Sequence, residues 1–251
     1  MKQFVITPVM GKRLIGKGLA AHPAIADVLA HGTLVIVAGS TNGYVAEEIL
    51  ALAGQAEGFT RVGFRRGEVF PPGFDASEAE TGQLEGDVVL VRGVRQAGKT
   101  IFDVGEELRR GDVVLKGANA VNLSLREAGV LIGHPVAGTS APAIAAAAGR
   151  HVRLIVPVGV EKRVDGPILE LAERLNRPYV QGPGMLPLPG EVFTELDAIA
   201  LLTGAEAMLA GAGGIYGAEG AAWIAVDGTD AQVEAAGELI GSASPEPPCR
   251  V

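Results

Sequence analysis

The sequence predicts an α/β protein built on a parallel sheet covered on both faces. Three observations carry this. Continuous apolar runs at 33–38, 87–91, 112–115, 129–133 and 152–158 lack the alternation of a half-wet strand, so they read as strands buried on both sides. Helical spacing fills the intervals between several of them. The 36 glycines and 15 prolines punctuate these segments instead of forming low-complexity tracts.

In chain order, residues 3–7 read as a strand and 9–21 as a helix with Leu14, Ile15 and Leu19 on its apolar face. Pro23 restarts a helix through Ile25, Val28 and Leu29. The strand 33–38 passes through Gly39-Ser40-Thr41-Asn42-Gly43 into a helix over 43–54, with Val45, Ile49, Leu52 and Ala53 at one-face spacing. Arg61–Phe64 reads as a short strand, and Gly67–Gly86, rich in Pro, Gly and acidic residues, as an extended loop. After the strand at 87–91 come a short helix at 103–110, the strand at 112–115 and the strand at 129–133. An Ala-rich helix at 140–149, capped by Thr139 or Ser140, precedes the strand at 152–158. The last third reads as helix (168–175), helix (194–202), strands (205–210, 221–226) and a helix opened by the capping box Thr229–Gln232. These place a core at 1–160, a smaller α+β subdomain at 161–245 and a flexible tail at 246–251.

Hydrophobic residues make up 48% of the chain and aromatics 4%, which gives an aliphatic core. A net charge of −8 without a basic run argues against nucleic acid or an anionic membrane as partner. The lone Cys249 excludes an internal disulfide and a cysteine metal cluster, which suits a reducing cytoplasm. The N-terminus lacks the apolar core of a signal peptide, and no run is long enough to cross a membrane. His22, His31, His134 and His151 lack metal-ligand spacing, so neither metal nor cofactor is expected. The high apolar content with few aromatics favours a homo-oligomer.

Chemistry is sought where strands end, since ligands of open α/β sheets bind at the carboxyl ends of strands. The turn Gly39-Ser40-Thr41-Asn42-Gly43 opens a helix, whose first N–H groups suit a phosphate or carboxylate. The competing reading is a plain βα turn with Ser40 or Thr41 as cap, and Glu47 and Glu48 already complementing the dipole. Lys116 closes a second strand, Gly117 permits close backbone approach, and Asn119 can donate and accept; the alternative is a lysine reaching solvent. Gly133–Ser140 is a further crossing into a helix, which brings Thr139 and Ser140 into the candidate anion site and offers His134 as an acid or base. Glu161-Lys162-Arg163 follows the last strand of the core and adds positive charge at that edge, or lies solvated.

Gly39-Ser40-Thr41 is similar to the phosphate turn of ribose-5-phosphate isomerases, and Lys116-Gly117-Ala118-Asn119-Ala120-Val121 resembles their Lys-Gly-Gly-Gly segment. Those enzymes sit in the sugar-phosphate-isomerase and CoA-transferase-like superfamily. The resemblance spans roughly residues 30–135. The whole chain is more similar to an uncharacterised prokaryotic family of that superfamily than to any named enzyme. The resemblance implies a Rossmann-like parallel sheet with a smaller α+β lid or dimerisation subdomain, phosphate binding by Ser40 and Thr41, and substrate contact by Lys116. The Asp-Gly-Ala-Asp segment of the isomerases is missing: the corresponding strand reads Val89-Leu90-Val91-Arg92-Gly93-Val94. Glu127 matches the expected base poorly, and Glu219 lacks the context of a CoA-transferase nucleophile. The expected function is binding, with isomerisation as its extension, of a small phosphorylated metabolite, Lys116 stabilising an enediolate oxygen. The alternative is a non-catalytic nucleotide- or anion-binding regulatory protein.

Overall fold

The computed structural model describes residues 1–66, 72–73 and 86–247. The loop expected at 67–86 and the end of the expected tail fall largely outside the described residues. The elements are β1 (Lys2–Ile6), α1 (Pro8–Ala20), α2 (Pro23–His31), β2 (Thr33–Ile36), α3 (Ser40–Leu52), β3 (Val88–Val91), β4 (Val94–Arg95), α4 (Ile101–Val104), β5 (Val113–Leu115), β6 (Ala120–Asn122) and β7 (Glu127–Ile132). There follow α5 (Ser140–Arg150), β8 (Arg153–Pro157), α6 (Ile168–Leu175), β9 (Gly184–Leu188), β10 (Glu191–Phe193), α7 (Glu195–Thr203), β11 (Glu206–Ala212), β12 (Ala222–Asp227) and α8 (Asp230–Ala243).

The chain is a mixed α/β protein around a six-stranded sheet of order β10-β8-β5-β2-β3-β4. β10, β8, β5 and β2 run parallel, whereas β3 and β4 are antiparallel to their neighbours. The sheet is therefore mixed and mostly parallel, so the expected parallel sheet holds for four strands and not for β3 and β4. The cause is the connection from α3 to β3. Helix α3 returns the chain to the starting end of β2, and the long segment 53–87 brings it back to the finishing end, so Ile36 pairs with Val88. The tight turn at Arg92-Gly93, both at positive φ, then folds β4 back on β3.

The strand expected at 129–133 is likewise relocated. It forms β7 of a separate antiparallel sheet, β6-β7-β9. A few residues separate β5 from β6 and β6 from β7, too few for the crossover that a parallel neighbour requires. The third sheet, β1-β12-β11, joins the two ends of the chain. Strand pairs β1–β12, β7–β9 and β8–β10 thus all cross residue 160. Residues 61–64 form a turn, not the short strand expected, with Phe64 packed edge-on to Phe59.

Alternation within each central strand divides the core. Leu34, Ile36, Leu90, Leu115 and Ile155 face α1, α2, α3 and α7. Val35, Val37, Val89, Val114 and Val156 face Ile101, Ala143, Ala146 and the β6-β7-β9 sheet. Both faces are covered, so apolar runs without alternation are the sequence such strands need. Leu14, Ile15 and Leu19 of α1 are fully buried, each contributing about 1.5–3 kcal/mol. Among the described residues, no helix is long and apolar enough to cross a membrane.

Helix α1 begins where Thr7 caps Met10 N and Pro8 fixes the first turn. It lies close to its neighbours because glycines line the contacts. A Cβ on Gly16 would stand 2.9 Å from Tyr44 O of α3, and one on Gly18 2.6 Å from Ala198 Cβ of α7. Gly18→Ala is therefore expected to lower stability by about 1–3 kcal/mol despite the better helix former. Gly149→Ala in α5, where an added Cβ meets nothing within 4 Å, is expected to hold or raise stability by up to about 1 kcal/mol. Urea denaturation of the two variants reads both signs; equal effects would contradict the close packing of α1.

Candidate functional site

The four parallel strands end at one edge, and their continuations carry Gly39–Asn42, Lys116–Asn119, Val158–Lys162 and Thr194-Glu195. A cavity of about 610 Å³ opens there. Its wall includes Gly39, Ser40, Thr41, Asn42, Lys116, Gly117, Asn119, Thr139 and Ser140, so these nine candidates for ligand contact line one space and Gly43 does not. Lys162, His134, Arg66 and Phe102 join them. A second hollow, about 60 Å³ beside Phe59 and Phe64, has room for a few waters only.

Helix α3 begins at Ser40, three residues earlier than the periodicity indicates, with Gly39 as N-cap and no side-chain cap. Ser40 and Thr41 are thus first-turn residues and not caps. Their N–H groups, with that of Asn42, are the ones a helix leaves without intrahelical acceptors, whereas Gly43 N already bonds Gly39 O at 2.8 Å. Gly43 instead packs under Arg61, whose Cβ would lie 3.0 Å from an added Cβ. Asn42 is fully buried and donates to Val37 O (2.7 Å) and Leu115 O (3.0 Å), so its amide ties β2 to β5 below the cavity. Among the described residues, Thr41 Oγ1 and Asn42 Oδ1 have no hydrogen-bond partner.

Glu47 and Glu48 sit two turns into α3, too far in to complement its N-terminus. They hold Arg13 at 2.7 and 2.9 Å, and Glu47 also holds Arg61. Both guanidinium groups stack on Tyr44, and Glu246, at the start of the expected tail, pairs with both.

Lys116 is placed by its N–H, which donates to Ile155 O at 3.1 Å as β5 ends. Its Nζ donates to Gly117 O at 3.3 Å. Burial, reinforced by the cations Lys162 and Arg66 and opposed by Asp87, pushes the ammonium down to about 8. Gly117 has open space where a Cβ would project, the nearest atom being Pro157 O at 3.8 Å. Asn119 uses Oδ1 to accept Leu131 N, so part of it braces β7. Lys162 donates to Ala118 O at 3.1 Å.

The start of α5 is less open to an anion than that of α3. Ser140 N and Ala141 N donate to Ala137 O and Gly138 O, and Pro142 has no N–H. Thr139 and Ser140 therefore offer hydroxyls and the helix dipole but few backbone donors. His134 lies exposed on the same wall, its Nδ1 accepting Val136 N.

Arg66 escapes sequence reading, since it lies in an irregular connection. It is held by Asp87 Oδ1 at 3.0 and 3.2 Å, and Asp87 also accepts Ala38 N and Ile101 N. Phe102, exposed on α4, stands 6.0 Å from the Arg66 guanidinium. Lys12 is also missed: a buried lysine on α1, it donates to Ser40 Oγ at 3.3 Å. The only hint in the sequence is a charge interrupting an apolar helix face. Among the described residues lining the cavity there is no carboxylate. Glu127 is engaged elsewhere, accepting Ile168 N at 2.9 Å, and Glu219 caps Gly217 N in the β11–β12 loop. Among the described residues, no cluster has the make-up of a metal site.

At the fourth strand end, Glu195 is buried against Gly11 and both its oxygens accept Val160 N, at 3.2 and 3.1 Å. Burial, with Glu161 nearby, raises its pKa well above the usual carboxylate range. A raised folded value means that Glu195 contributes stability fully present below its ordinary 4.5 and lost as pH rises toward the folded value. Glu195→Gln is therefore expected to gain stability relative to the parent between about pH 5 and about pH 8 in urea denaturation. A difference that stays constant across that interval would contradict the buried acid.

Comparison of the chain with protein-family models, with curated proteins and with solved structures finds no match in any of the three.

Proposed function

We propose that the protein binds a small phosphorylated or otherwise anionic metabolite in the cavity at the carboxyl ends of β2, β5 and β8. The observation that carries this reading is the composition of one wall. The open N-terminus of α3, Lys116, Lys162 and Arg66 face a common space from which carboxylates are absent among the described residues. In a chain of net charge −8, such a wall focuses anions into the cavity. The free N–H groups of Ser40 and Thr41 suit phosphate oxygens, and the cations add charge-assisted hydrogen bonds. A Rossmann-like core, in the sense of parallel strands presenting ligand-binding turns, is consistent with β10-β8-β5-β2. It would apply to those strands, not to the antiparallel β3 and β4.

Binding has firmer support than isomerisation. Proton transfer between adjacent carbons asks for a base beside the substrate. Asp87, the carboxylate whose charge acts on Lys116 among the described residues, has a fully buried side chain occupied by two N–H groups and Arg66. His134 is the imidazole in the described lining. An isomerase would have to work through it or through Lys116.

Inorganic phosphate and sugar phosphates are expected to raise the melting temperature, because a ligand of the native state stabilises it. Lys116→Gln is expected to weaken the best of these ligands by about tenfold or more with the fold intact, one charge-assisted hydrogen bond being worth about 1.5–3 kcal/mol. Unchanged affinity in calorimetry would remove Lys116 from the site.

We also propose a homo-oligomer. Val5, Met208 and Trp223 share the β1-β12-β11 sheet and remain exposed, and Ile215 and Tyr216 stand out from the β11–β12 loop, Tyr216 at 97% exposure. Burying these between subunits would remove apolar surface from water. Light scattering at micromolar concentration is expected to give a multiple of 25.7 kDa; the mass of a single chain would contradict it.

A further inference from the structure

Lys116 sits where an ammonium is poorly served. Its side chain lines the cavity, its backbone is pinned by Ile155, and among the described residues its Nζ is given one hydrogen-bond acceptor, the Gly117 carbonyl. The charged side chains that share the wall with it, Lys162 and Arg66, are cations. Asp87, the nearby carboxylate, is committed to Arg66 at 3.0 Å and to two backbone N–H groups. A lysine desolvated beside other cations is the setting in which an amine becomes a nucleophile.

We propose that Lys116 condenses with the carbonyl group of its ligand, so that the cavity takes a phosphorylated aldehyde or ketone and holds it as an imine on Nζ. This rests on the anion-binding reading above and narrows its ligand class. The amine lone pair forms the N–C bond while the carbonyl π pair moves onto oxygen. That oxygen takes up a proton, and the nitrogen gives one up, leaving a carbinolamine. The C–O bond then breaks as the hydroxyl takes up a proton and leaves as water, the nitrogen lone pair closes the C=N bond, and the nitrogen gives up its remaining proton to restore the one consumed. The sum is amine plus carbonyl giving imine plus water, with no change of oxidation state. His134 lines the same cavity and is of a type that can carry the protons. The open α3 N-terminus at Ser40 and Thr41 receives the phosphate, so the carbonyl carbon is presented to the strand end that carries Lys116. With the ammonium brought down to about 8, roughly one amine in ten is neutral at pH 7.

The test is reductive trapping on the full chain. Glycolaldehyde phosphate with borohydride is expected to give an adduct that peptide mass spectrometry maps to Lys116, at a level about tenfold above that on any other lysine. Glycolaldehyde without phosphate is expected to label it about tenfold less, and Lys116→Arg to lose the adduct. Labelling spread evenly over the lysines, or none, would overturn the proposal, and because the map is made on the unsubstituted protein this holds even if the variant folds poorly. Calorimetry of the unreacted protein with inorganic phosphate separates the two readings. Bound phosphate without an adduct overturns the imine alone; no bound phosphate and no adduct overturns both.

Discussion

The Asp87 carboxylate organises the site. One oxygen accepts Ala38 N, where β2 gives way to the α3 turn, and also holds Arg66; the other accepts Ile101 N at the start of α4. A buried carboxylate is costly without such partners, and removing one partner of a buried pair typically costs about 3–5 kcal/mol. Asp87 can stand there because β3 runs against β2. An antiparallel strand starts where its parallel neighbours finish, so the residue that opens β3 arrives at the edge where the cavity lies. The departure from a fully parallel sheet is thus what brings a negative charge beneath the α3 turn and, with it, an arginine to the wall.

The rest of the site follows from charge. Asp87 is spent on its own neighbours, so the cavity wall keeps the cations Arg66, Lys116 and Lys162 without a carboxylate among the described lining residues. Cations gathered in a partly desolvated space favour an anion, and burial, with Lys162 and Arg66 adding to it, disfavours the charged form of Lys116. The proposed affinity for a phosphate and the proposed reactivity of the amine therefore arise in the same partly desolvated, cation-lined space. The small residues Gly39, Gly117 and Gly133 leave backbone open beside this wall, since a Cβ at each would meet no protein atom closer than 3.8 Å.

Much of this was readable from residue types. Ser40, Thr41, Lys116 and Gly117 stand out because each follows an apolar run with no alternation, and the structure puts all of them on one cavity. Residues that depend on long-range placement were hidden. Arg66 lies in an irregular connection and Phe102 on a one-turn helix, so neither has a periodic signal. Asn42 and Gly43 match the pattern of a binding turn, yet one ties two strand ends together and the other makes room for Arg61. β9 contains Pro187, which a sequence reading takes for a breaker, but it is an edge strand where a missing N–H is tolerated. β10 is short and comes just after Pro189-Gly190, and the pairing of β1 with β12 joins residues more than two hundred positions apart, beyond any local pattern.

On the proposed function, the wall formed by the α3 turn and Lys116 receives a phosphate. A crystal structure of the protein grown with inorganic phosphate tests it most directly. A phosphate is expected on the Ser40 and Thr41 N–H groups and within hydrogen-bond reach of Lys116 Nζ. A cavity filled by water alone, with phosphate bound only at other places on the surface, would contradict it.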